Sequence, residues 1–151
     1  MIGDNSLLLY MGKKQINSRK GVYDGVKFAS QLEIHCYKLL QDAGIDFKYE
    51  GEVFNLMDEF HLDNVLFTHK GMKPLVDNGD SKVRKIYYTP DFVSDLFIIE
   101  AKGRMSQSFP LRWKMFLSLM HRTNDKRAIY MPANVKDCKI VVADILKRFY
   151  S

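Results

Sequence analysis

Two carboxylates and an amine, Asp91, Glu100 and Lys102, fall in the stretch IYYTPDFVSDLFIIEAKG, residues 86–103. The apolar runs around them read as two strands, 83–92 and 96–103, joined by a short turn at Val93-Ser94-Asp95. Side chains alternate along a strand, so Glu100 and Lys102 share a face while Ile99 and Ala101 take the other. Pro90 ends ladder bonding just before Asp91. Folding 86–92 onto 96–102 brings Asp91 beside Glu100, and two carboxylates that close repel unless one stays protonated. A divalent cation removes the repulsion, and hard oxygen ligands select Mg²⁺ or Mn²⁺. Lys102 can then orient or deprotonate a water, or stabilise charge on a phosphate. The plainer alternative is an edge hairpin carrying a surface Glu100–Lys102 ion pair. The apolar run LFII before Glu100 argues against an edge.

A third carboxylate, Glu33, lies on the helix expected over FASQLEIHCYKLLQDA, residues 28–43. Ser30 can cap that helix, Leu32, Cys36, Leu39, Leu40 and Ala43 mark its apolar positions, and Gly44 stops it. Glu33 shares a face with Cys36, Tyr37 and Leu40. It either snorkels to solvent or reaches the hairpin as a third ligand, completing a site for one or two metals.

PDF, then nine residues from Asp91 to Glu100, then EAKG, resembles the PD-(D/E)xK nuclease superfamily. Residues 28–50, with F-x-S-x-L-E and G-I-x-F-x-Y-E, are similar to the first helix and strand of the phage endonuclease I family of Holliday-junction-resolving enzymes. YTPDF and E-x-K-G look like its second and third blocks, in the right order. The resemblance implies a restriction-endonuclease-like α/β core, a mixed sheet flanked by helices. It implies Glu33, Asp91 and Glu100 as metal-binding carboxylates and Lys102 as the catalytic lysine. It also implies a Mg²⁺-dependent homodimer that cuts branched DNA, with N-terminal parts exchanged between chains. A sequence-specific or transposon-type nicking nuclease of the same fold, or a non-catalytic DNA-binding or packaging protein, is the alternative. Residues 51–86 depart from the family as a longer, more acidic connection.

The charge distribution fits a polyanionic partner. Residues 1–27 carry a net +3, residues 28–81 a net −6 and residues 82–151 a net +8, within an overall +5. Lys13, Lys14, Arg19 and Lys20 on a basic arm over 1–27, with Arg104, Arg112 and Lys114 after the E-x-K strand, are the expected phosphate contacts. The remainder, 28–151, is expected to be a single domain with an acidic connection over about 51–82. His35, His61, His69 and His121 lack a common ligand spacing, and Cys36 and Cys138 lack metal-type spacing. Two cysteines so placed fit a reducing, cytoplasmic setting. The run SLLLYM, 6–11, is too short to span a membrane, and no small-molecule cofactor is expected.

Of the other elements, residues 45–56 read as a strand interrupted at Gly51, 61–69 as a strand, and 70–82 as a turn-rich connection. A helix is expected over 109–122 with Pro110 in its first turn and Trp113, Phe116, Leu117 and Met120 as its stripe. A strand over 127–132 and an amphipathic helix over 135–150 close the chain.

Overall fold

A computed structural model describes residues 20–151. Lys13, Lys14 and Arg19 lie outside the described residues. The described chain is mixed α/β, as expected, and it divides into two compact units. The first comprises the chain up to Glu52 with Pro90–Pro110 and Lys126–Ser151, the second Val53–Thr89 with Leu111–Asp125.

The first unit begins with a hairpin, β1 (Gly21–Tyr23) and β2 (Val26–Phe28), where the sequence suggested an arm. Its turn is Asp24-Gly25, with φ of 51° and 73°, the left-handed pair that a tight hairpin turn requires. Helix α1 (Gln31–Asp42) follows, with Ser30 as N-cap and Gly44 at φ 68° just past its C-cap Ala43. The main sheet is mixed. Strand β3 (Lys48–Tyr49) pairs antiparallel with β10 (Phe92–Val93), and β10 pairs antiparallel with β11 (Phe97–Ile99). Strand β12 (Ala128–Tyr130) runs parallel to β11, and α3 (Val135–Phe149) closes the unit with Asn134 as its cap.

Phe97, Ile98 and Ile99 are all fully buried, which is why LFII reads as a continuous apolar run. The core of this unit joins Phe92, Phe97 and Ile99 to Leu40 on α1 and to Val141 and Ile145 on α3. Arg127 is held by both oxygens of Glu52, at 2.6 and 3.3 Å, and by the Ser94 carbonyl.

The second unit is a long two-stranded antiparallel ribbon whose base packs on α2 (Phe109–Arg122), a helix whose first two residues belong to the first unit. Strand β4 (Phe54–Met57) pairs with β9 (Ile86–Tyr88), β5 (Phe60–Asp63) with β8 (Asp80–Val83), and β6 (Phe67–Thr68) with β7 (Val76–Asp77). Phe54 and Tyr88 meet Phe116 at ring separations of 5.1 and 4.8 Å, and Trp113 joins them. Of the expected stripe, Phe116 and Met120 are buried, but Leu117 is exposed. Gly79 is required where the strands approach closely, because a Cβ there would run into the Asn64 carbonyl.

Three expectations are corrected here. The strand expected over 45–56 is two strands in different units, separated by Glu50 in the left-handed region at φ 49°. The strand expected over 83–92 is likewise split by Thr89-Pro90, so only Phe92–Val93 pairs with the E-x-K strand. Residues 61–82 are neither a lone strand nor a loose connection, but the two sides of one ribbon.

Cys36 and Cys138 are distant in sequence, but they face each other in the contact of α1 with α3 and are both fully buried. The Cys36 thiol is pushed far above its usual range, first by its hydrogen bond to Cys138 and then by burial. It is therefore protonated at neutral pH and unreactive. Ellman's reagent should leave both thiols untouched in the native protein and titrate both in urea. Rapid native labelling would contradict this packing.

Candidate active site

The E-x-K stretch leaves the sheet beside β12. Glu100 N donates to the Tyr130 carbonyl at 2.9 Å and Lys102 N to the Pro132 carbonyl at 2.9 Å. These alternate bonds extend the parallel ladder past the end of β11, keeping Glu100 and Lys102 on one face. Glu100 is buried, at 6% exposure, which excludes the edge-hairpin alternative for its side chain. The Lys102 ammonium sits 3.9 Å from Glu100 Oε1 and 4.6 Å from the centre of the Phe109 ring. The carboxylate and the ring face thus both hold the charge in place.

Asp91 enters from the end of β10. The Phe92↔Ile99 rung places it next to Glu100. Its Oδ2 accepts the Ala101 N–H at 2.7 Å, and its carbonyl accepts the Glu50 N–H at 2.8 Å. Burial raises the Asp91 pKa most, and the charges of Glu100 and Glu33 raise it further. The Ala101 hydrogen bond and Lys102 pull the other way, and the balance is about 9. The carboxyl is consequently protonated at neutral pH in the metal-free protein.

Glu33 is the second buried charged side chain, also at 6% exposure, so the snorkelling alternative fails. Three donors meet its carboxylate. Ser30 Oγ donates at 2.9 Å to Oε1, while Ala29 N and the Tyr49 hydroxyl donate at 3.2 and 2.6 Å to Oε2. The Glu33 N–H returns a bond to Ser30 Oγ at 3.2 Å, completing a reciprocal cap on α1. Its hydrogen bonds therefore fix Glu33 at a helix start while its charge reaches Asp91.

Sequence reasoning placed Glu33, Asp91, Glu100 and Lys102 together, and electrostatic coupling links all four. It missed Tyr49 and Phe109 as their supports. Tyr49 had a signal, the inward alternation of Ile45, Phe47 and Tyr49. Its hydroxyl pKa is raised strongly, first by burial and then by its bond to Glu33, so it remains a donor. Phe109 had none beyond its place at a helix start. The expected DNA contacts Lys20, Arg104, Arg112 and Lys114 are exposed.

The donor set suits a hard divalent cation in kind, since its groups are carboxyl oxygens and Asp91 is held neutral by burial first and by the charges of Glu100 and Glu33 second. Among the described residues, no three histidine, cysteine, aspartate or glutamate side chains form a ready-made metal cluster. Asp91 and Glu100 fit as direct ligands. Glu33, with its oxygens engaged, fits as a charge behind them.

The raised Asp91 pKa has a pH signature. Folding takes up a proton wherever pH lies between the unfolded value, 3.8, and the folded value, about 9. The stability tied to this group is thus fully present below pH 3.8 and is lost as pH rises toward about 9. Asp91→Asn keeps the acceptor for Ala101 and removes the titration. Without metal, the variant should melt above wild type at pH 8, with the gap closing toward pH 4. A gap that stays constant across this range would refute the coupling.

No helix among the described residues is long and apolar enough to cross a membrane. Comparison with curated proteins and with solved structures finds no match. A family model described as a protein of unknown function, DUF1064, matches residues 13–137. The chain belongs to the DUF1064 family.

Proposed function

We propose that this protein is a metal-dependent endodeoxyribonuclease of the PD-(D/E)xK kind, acting as a homodimer on branched DNA such as Holliday junctions. The observation that carries the reading is the buried meeting of Asp91 with Glu100 and Glu33, flanked by the Lys102 ammonium. A purely structural role gives little reason to collect three acidic groups where desolvation penalises each.

In this reading Asp91 and Glu100 hold Mg²⁺, which Mn²⁺ can replace, with one or two ions per site. When bound, the cation would supply charge neutralisation and activation of a water for phosphodiester hydrolysis. Asp91 gives up its proton on loading and is kept in register by the Ala101 N–H. Glu33, fixed by Ser30 and Tyr49, adds negative field without leaving its cap. Lys102, steadied by Glu100 and Phe109, donates to a phosphate oxygen or assists the attacking water. Lys20, Arg104, Arg112 and Lys114 contribute phosphate contacts from exposed positions, as would Lys13, Lys14 and Arg19.

The test is cleavage of a four-way junction and of matched linear duplex, with and without Mg²⁺. Wild type should cut the junction only with metal. Asp91→Asn and Glu100→Gln should abolish cutting while junction binding survives. Lys102→Ala should lower single-turnover rates by roughly 10²-fold at saturating Mg²⁺. Wild-type rates in the carboxylate variants would overturn the site. Binding without cleavage under every metal condition would favour a non-catalytic DNA-binding protein.

A further inference from the structure

The ribbon from Phe54 to Tyr88 is a two-stranded element paired only with itself along its described length. A two-stranded hairpin is marginal in water unless something covers it. The base is covered by α2 through Phe116 and Trp113. The outer part instead exposes Val65 (79%), Phe67 (57%), Met72 (105%), Leu75 (54%) and Val76 (45%). An apolar set of this kind concentrated at one end marks an interaction surface.

The charges indicate what covers it. Residues 53–89 carry five basic side chains, Lys70, Lys73, Lys82, Arg84 and Lys85, and five acidic ones, Asp58, Glu59, Asp63, Asp77 and Asp80. A nucleic-acid surface would be short of acids. This balance is instead segregated along the ribbon. The turn at the tip holds Lys70 and Lys73, while the middle holds Asp63 directly opposite Asp80. Like charges facing each other across a strand pair are destabilising. His61, 3.4 Å from Asp80, offsets that only when protonated. Among the described residues the acidic rung therefore lacks a permanent cation of its own that would offset the repulsion, and the tip carries two.

We propose that the ribbon is a self-association arm, whose partner is the ribbon of a second copy of this chain lying antiparallel to it. A two-fold axis near the Phe67 and Val76 rungs sets the Lys70–Lys73 tip of each copy against the Asp63–Asp80 rung of the other. The same operation buries the exposed apolar residues on the face turned toward the partner, Phe67 and Val76 pointing to opposite faces on neighbouring rungs. The contact uses the part of the chain that departs from the resembled nucleases; it gives the homodimer proposed above a surface and does not rest on the reaction.

The experiment is sedimentation of the full chain, free of metal and DNA. Wild type should sediment as a dimer. Val65→Glu with Met72→Glu alters only exposed positions and should give a monomer with an unchanged circular dichroism spectrum. Lys70→Glu with Lys73→Glu should be monomeric, as should Asp63→Lys with Asp80→Lys. An equimolar mixture of these two charge-reversed proteins should restore the dimer, because only the mixed pair brings opposite charges together at both contacts. A monomeric wild type, or a dimer indifferent to all these changes, would overturn the proposal. So would self-association that appears only on adding DNA, which would assign the ribbon to nucleic acid.

Discussion

Desolvation of clustered carboxyl groups, with their mutual repulsion second, is the constraint on which the candidate site depends. Asp91 and Glu100 are adjacent because β10 and β11 pair in one register, and Glu33 is close because α1 begins beside them. None of the three is placed at random on its element. Glu33 is anchored by three donors, Asp91 by the Ala101 N–H, and Glu100 by the backbone bond that continues the β12 ladder. Such local supports hold charged groups where their mutual field is strongest. Preorganisation of this kind precedes any ligand, because the chain has already met the desolvation cost on folding.

The elements most visible in the sequence were those whose signals are local. Ser30 as a cap, Gly44 as a stop and the LFII run all lie within a few residues of the feature that they determine. The Asp24-Gly25 turn was equally local and could have been read from its dipeptide, yet it lay inside a stretch whose basic residues pointed to an arm. The breaks were harder. Residues 83–92 look like one strand because their alternation continues across the break, while 45–56 showed only an interruption at Gly51. What divides them is tertiary: the chain leaves the first unit after Glu52 and returns to it at Pro90.

The candidate site was legible to a different extent at each residue. Asp91, Glu100 and Lys102 announced themselves because charge beside a buried strand is rare. Glu33 had two readings in the sequence, and only its low exposure and its three hydrogen bonds separate them. The supports Tyr49 and Phe109 carry no charge and look like ordinary core. Their roles depend on which polar atom each one faces, and periodicity does not encode that.

One hydrogen bond, from Glu50 N to the Asp91 carbonyl, closes the chain where the ribbon departs and returns. Everything between those two residues is, for the first unit, a single excursion with its ends already joined. Lengthening a closed excursion costs little, roughly 0.6 kcal/mol for each doubling. Insertions or deletions beyond the Met57–Ile86 rung would therefore leave the Asp91 backbone where it is. The ribbon of this chain can therefore lengthen or shorten without displacing the acidic centre of the first unit.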